Sequence, residues 1–214
     1  MMSMKFISSF LSFTLLMMAI STLAQTSNDT AGSPVLDTTG QPLQRGVEYY
    51  IKPAITENGG RFTLIDHRNG TCPFYVGQEN LSGPDGFPVT FAPFAEGETV
   101  VKEGRDIKIT FAVSTICVQS TAWKRSNETG QETERRLIVI GEDENERYPT
   151  GNYFKIVREG NGLYSLFWCP YEACPICKFD CRATWVGVLV ENGKRLLALD
   201  GSALPVEFER HIID

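Results

Sequence analysis

The chain has 214 residues, with 20 Lys or Arg against 26 Asp or Glu, a formal net charge of −6, and 42% hydrophobic residues. That length supports one domain, or at most two small ones. The mild, scattered acidity favours solubility and argues against nucleic acid or an anionic membrane as partner.

In chain order, residues 1 to 24 read as a cleaved secretory signal peptide. Lys5 supplies a positive start, "FISSFLSFTLLMMAI" is an apolar run too short to serve as an anchor, and "STLA" ends in small residues suited to cleavage after Ala24. A short flexible segment, 25 to 34, is expected to follow. Four Asn-x-Ser/Thr sequons, at Asn28, Asn69, Asn80 and Asn127, fit a secretory route and are glycosylation candidates.

Past Gln25 no window repeats apolar residues at helical spacing over ten or more positions. Strand signals recur instead: 47 to 52, 61 to 66, 88 to 91, 106 to 111, 136 to 141, 153 to 157, 163 to 168, 185 to 190, 195 to 199 and 205 to 209. These runs are short, rich in β-branched and aromatic residues, and mostly alternating. Turn residues divide them, as in "NGG" at 58 to 60, "GPDG" at 83 to 86 and "ENGK" at 191 to 194. The expectation is an all-β domain, sandwich or barrel. Three stretches, beginning near 48, 106 and 152, share a grammar of aromatic strand, turn and apolar strand, which suggests threefold repetition. The charged run "KRSNETGQETERR" at 124 to 136 reads as a solvated hairpin loop.

Six cysteines, at 72, 117, 169, 174, 177 and 181, are an even number, and four of them crowd into "WCPYEACPICKFDCR". Such density suits a metal site, a redox centre or a disulfide staple. An oxidising compartment favours three disulfides, whereas zinc wants cysteines held reduced. The Cys174-Pro-Ile-Cys177 pair lacks a following helix to lower a thiol's pKa; a strand run follows it.

Catalytic groups are scarce. The two histidines, His67 and His211, lie in a turn and in the C-terminal tail, and no motif places a nucleophile beside either. Phosphate-cradling glycine loops and two-histidine metal spacings are absent from the sequence, and "GEDENE" at 141 to 146 lacks the spacing of a calcium loop. These observations point away from an enzyme and from any cofactor or metal, and toward a binding module.

The start of the domain, "VLDTTGQPLQRGVEYYI" at 35 to 51, resembles the N-terminal signature of the plant Kunitz family of soybean-trypsin-inhibitor type, through Val35, Asp37, Thr39, Gly40, Gln41, Leu43, Tyr49 and Ile51. Further on, "NGGRFTLI", "TCP", "GFPVTF", "TICVQSTAW", "NYFKI" and "KRLLALDGSALPVEFER" follow in the family's order. The resemblance covers 35 to 210, leaves 211 to 214 as a tail, and is similar to the miraculin-like branch with its extra cysteine pair. It implies a β-trefoil fold and the pairs Cys72 with Cys117, Cys169 with Cys181, and Cys174 with Cys177.

Members of that family inhibit proteases by offering a rigid exposed loop to the protease cleft. The resemblance therefore implies a secreted inhibitor, in the apoplast or a vacuole, whose partner is a target protease, of the serine or possibly the cysteine class, and which acts as a monomer. The matching loop here lies between "PVTF" and "DIKITF". Aligning Pro93-Phe94 with the family's Pro-aromatic pair puts Ala95 at the primary specificity position, followed by Glu96 and Gly97; a shift of one gives Phe94 or Glu96. None is basic, so specificity unlike trypsin's is expected. The family braces this loop with an Asn, and Arg45 stands at its position. Lys102 and Arg105, later in the loop, read as solvated charge. The alternative is a non-inhibitory trefoil that serves in binding, storage, taste or stress.

Overall fold

A computed structural model describes residues 32 to 212, apart from Thr56, residues 67 to 71, Pro73 and residues 118 to 119. The signal segment 1 to 24, the sequons at Asn28 and Asn69, and His67 lie outside the described residues.

Twelve strands follow one another: β1 (Glu48–Pro53), β2 (Phe62–Ile65), β3 (Tyr75–Gln78), β4 (Val89–Pro93), β5 (Ile107–Phe111), β6 (Trp123–Thr129), β7 (Arg136–Ile140), β8 (Tyr153–Arg158), β9 (Tyr164–Phe167), β10 (Gly187–Glu191), β11 (Lys194–Ala198) and β12 (Pro205–Arg210). Among the described residues the only helical element is a 3-10 turn at Thr150–Asn152.

Six strands close a barrel in the order β1-β12-β9-β8-β5-β4. The others pair as hairpins, β2 with β3, β6 with β7 and β10 with β11, and join across one another into a cap sheet. One four-strand unit is thus played three times: the first and fourth strands of a lobe pair in the barrel (β1–β4, β5–β8, β9–β12), and the middle two make a cap hairpin. This is the β-trefoil. The lobes open at β1, β5 and β9, so the third begins at Tyr164 and not near 152. The strand at 153 closes the second lobe. It misleads because opening and closing barrel strands share one pattern, apolar inward and polar outward at alternate positions.

Burial explains that pattern. β4 and β5 bury Val89, Phe91 and Pro93, and Ile107, Ile109 and Phe111, with half-buried residues between. Inside the barrel Tyr49 and Phe208 flank Phe91 with ring centroids 5.9 and 5.6 Å away. Between barrel and cap, Trp123 is fully buried against Phe62, Phe111 and Phe154. Large aromatics suit this place because burying each removes 150–250 Å² from water.

Two strands were not visible in the sequence. β3, "YVGQ", is buried on both faces and carries Gly77, where an added Cβ would sit 2.6 Å from the Arg195 carbonyl oxygen. β6 runs through the charged segment expected to be a loop. It survives there because Trp123 and Ser126 are buried, Lys124, Arg125 and Glu128 stay partly exposed, and β7 pairs with it on either side of an irregularity.

The N-terminal signature residues each have a task. Val35 and Leu43 are fully buried, Gly40 takes φ +79°, and Asp37 Oδ1 accepts hydrogen bonds from the Thr39 and Gln41 N–H groups and the Thr39 hydroxyl. Burial pushes the Asp37 carboxyl up, but those bonds and the charge of Arg210 together hold it below the usual carboxylate value. Tyr49 closes the unit by accepting the Gln44 N–H on its hydroxyl.

The structure joins Cys72 to Cys117, Cys169 to Cys181 and Cys174 to Cys177, and leaves no free cysteine among the described residues. The first bridge spans 45 residues. In the chain-entropy account such a loop is worth about 4 kcal/mol.

Candidate functional site

Between β4 and β5 the chain leaves the barrel at Phe94 and returns at Asp106. Its tip is a turn: the Glu98 N–H donates to the Ala95 carbonyl at 3.3 Å, and Gly97 at φ +78° takes the third position. A positive φ there, after a residue with negative φ, defines a type II turn, which glycine accommodates without strain.

Arg45 fills the inside of this turn. Its Nη2 donates to the carbonyls of Pro93 at 2.7 Å and Ala95 at 3.1 Å, and its Nε donates to the carbonyl of Glu98 at 2.8 Å. A planar guanidinium can hold three carbonyls at once because its donors are fixed in a fork. Arg45 therefore braces the loop from the position at which the resemblance put an asparagine in the family. At the base, the Phe94 N–H donates to the Asp106 carbonyl and the Arg45 N–H to the Thr99 carbonyl.

The side chains of the tip divide by exposure. Pro93 is buried, Ala95 half-buried, and Glu96 and Gly97 exposed. Phe94 is 40% exposed and rests edge-on against Tyr153, centroids 5.2 Å apart. Lys102 and Arg105 are not free solvated charges. Lys102 pairs with Glu98 at 3.0 Å, and Arg105 pairs with Glu172.

Asp106 is the residue that sequence reading missed. It is fully buried, its Oδ2 accepts the Glu172 and Ala173 N–H groups at 2.8 and 3.0 Å, and its Oδ1 pairs with Lys155 Nζ at 2.6 Å. The loop base, β8 and the cysteine-rich loop are thereby tied at one carboxylate. An isolated Asp before a strand gives no sequence sign of this, because both partner segments are distant in the chain.

The cysteine-rich loop is a second exposed, rigid feature. The Cys169–Cys181 bridge closes its base and Cys174–Cys177 its tip, with Cys169 and Cys174 buried. Ile176 stands 75% exposed, and Lys178 is exposed beyond it. The remaining polar candidates are engaged. His211 Nδ1 lies 2.7 Å from Glu48, Glu142 binds Lys108 and the Ser120 hydroxyl, and Asp143 accepts the Gly151 N–H. Of the sequons, Asn80 and Asn127 are exposed.

Arg45→Ala is expected to free the tip without unfolding the barrel. Limited proteolysis should nick 94 to 98 about tenfold faster, the equivalent of one charge-assisted hydrogen bond, while the thermal midpoint moves little. An unchanged nicking rate would show that the turn holds without its arginine.

Comparison with known proteins places the chain as a whole. Residues 35–210 match the legume Kunitz family model, described as trypsin and protease inhibitor. The "Kunitz type trypsin inhibitor 104" of Medicago truncatula is 49% identical over 179 residues, covering 82% of this chain and 87% of that one. Miraculin of Synsepalum dulcificum is 33% identical, covering 86% of each. Among solved structures, the Kunitz-type cysteine protease inhibitor PCPI-3 from potato superposes with a TM-score of 0.71 at 31% identity, over 86% of this chain and all of that one.

Proposed function

The chain belongs to the legume Kunitz family of trypsin and protease inhibitors, and we propose that it inhibits an endopeptidase through the Pro93–Glu98 loop, with Phe94 entering the protease's primary pocket. One observation carries this choice of residue. Arg45 holds the Pro93 and Ala95 carbonyls inward, while the Phe94 carbonyl accepts no hydrogen bond from any described residue. A scissile carbonyl has to receive the donors of an oxyanion hole, so one already spent on Arg45 and Glu98 is a poor substrate mimic. Phe94 offers both a free carbonyl and an exposed aromatic ring.

The ring suits the hydrophobic slot of a chymotrypsin-like serine protease, whereas trypsin's buried Asp would find no basic partner on this tip and would meet Glu96 nearby. The bracing by Arg45 lowers the ordering cost on binding, which is how a small loop reaches useful affinity. The protein acts as an inhibitor and not as an enzyme. Residues 1 to 24 direct it to the secretory route, where three disulfides form readily, and Asn80 and Asn127 are the exposed glycan acceptors among the described residues.

A second reading has its own observation. The relatives named trypsin inhibitors imply a basic residue on a rigid loop, and Lys178, just after the Cys174–Cys177 ring, is the exposed lysine of the doubly bridged segment. A panel of chymotrypsin, trypsin, subtilisin and papain against the purified chain and Lys178→Ala separates the two. Chymotrypsin inhibition that survives Lys178→Ala supports the Phe94 loop. Trypsin inhibition lost in that variant supports the bridged loop instead, and no inhibition of any protease at micromolar concentration overturns both.

A further inference from the structure

On the far side of the bridged loop lies a cleft of about 680 Å³ between β6, β7, the residues around Cys181 and the turn after β11. This volume is within the range that small-molecule sites occupy. Its floor is aromatic. Trp168 and Phe179 meet edge to face with centroids 5.4 Å apart, and the Arg125 guanidinium lies 4.4 Å over the Trp168 ring.

The charges of this cleft are unbalanced in a chain that is acidic overall. Arg182 is satisfied by both oxygens of Asp180. Arg125, Arg136 and Lys178 have no ion-pair partner among the described residues, and Asp200 is the remaining acid in the lining. Arg125 is the telling case, because it is half-buried and its Nε is shielded from solvent without an acceptor. Arg135, outside the cleft, shows how the fold treats a structural guanidinium: that side chain donates to the carbonyls of Val188, Ala198 and Leu199. Burial first, and the charge of Arg136 second, hold the Arg125 guanidinium below its ordinary value, with Asp143 and Asp200 offsetting only part of this. An arriving anion offsets both by pairing with the charge.

We propose that this cleft binds a small organic anion, a carboxylate or phosphate carried on a flat apolar body. The Arg125 fork would meet the oxyanion, since a guanidinium pairs with two oxygens of either group at once. Arg136 and Lys178 add charge at the rim, and the Trp168 and Phe179 rings cover the apolar part. Lys178 and Phe179 sit between Cys169 and Cys181, so that bridge holds one wall of the site in place. The inference does not rest on the Phe94 loop and survives if that loop proves silent.

The test is calorimetric titration of the purified chain with four probes: 1-naphthoate, 1-naphthyl phosphate, inorganic phosphate and neutral 1-naphthalenemethanol. The expected result is a Kd below about 1 mM for one or both naphthyl anions, with inorganic phosphate and the alcohol at least about tenfold weaker. Which naphthyl anion binds tighter distinguishes a carboxylate ligand from a phosphate one. Arg125→Gln should weaken the tighter probe by about tenfold. Arg136→Gln, at an exposed position that does not threaten folding, should weaken it by about threefold and move the Trp168 indole resonance less on titration. Absence of binding at about 5 mM, or affinity that neither variant changes, overturns the proposal.

Discussion

Replacing Phe94 with alanine is expected to raise the inhibition constant for chymotrypsin by at least about 100-fold, and Phe94→Arg to transfer inhibition to trypsin. The magnitude follows from the place of the side chain. An aromatic anchor that fills a desolvated pocket at the centre of an interface carries several kcal/mol, and 100-fold is about 2.8 kcal/mol. The arginine variant gains where the alanine variant loses, because trypsin's pocket supplies a carboxylate for a guanidinium and nothing for a ring. Both substitutions fall on a half-exposed residue whose only ring partner among the described residues is Tyr153, so the fold should be unaffected. Steady-state inhibition assays against both proteases check the pair of variants. If Ala95→Arg creates trypsin inhibition and Phe94→Arg does not, the specificity position is one residue further along.

Asp106→Ala carries the largest expected effect on stability. It removes the acceptor for the Glu172 and Ala173 N–H groups and leaves the Lys155 ammonium, which also donates to the Gly104 carbonyl, without its counter-charge. Breaking a buried pair from one side costs about 3–5 kcal/mol, a large share of the 5–15 kcal/mol that holds a domain together. For a chain of this size the thermal midpoint should fall by about 10 °C. Adding Lys155→Met should restore part of the loss, since the stranded charge is then gone. Denaturant titration of the single and double variants measures this; a loss below about 1 kcal/mol in the single variant would show that the carboxylate is dispensable.

The barrel strands and most turns were legible because each carries its own period: one face meets the core and the other meets water, so residues alternate locally. β3 was hidden because both its faces are covered and Gly77 answers to a neighbouring backbone instead of to propensity. β6 was hidden by its charged face. Within the site, the loop was legible through its flanking strands and through resemblance, whereas its internal order was not. Arg45 and Ala95 are adjacent only after β1 pairs with β4, and the link from Asp106 to Ala173 exists only once the bridged loop folds back. A shift of one residue in the specificity position changes no spacing that a sequence can display. The proposal for Phe94 rests instead on which carbonyls a guanidinium occupies.

The pairing of β1 with β12 places Tyr49 opposite Arg210 and Pro53 opposite Val206, so the barrel's first and last strands are neighbours. A chain emerging from the ribosome holds β1 with one edge unpaired until the final strand has been made. Closure of the barrel that carries the protease-facing loop therefore waits for the last strand to be made.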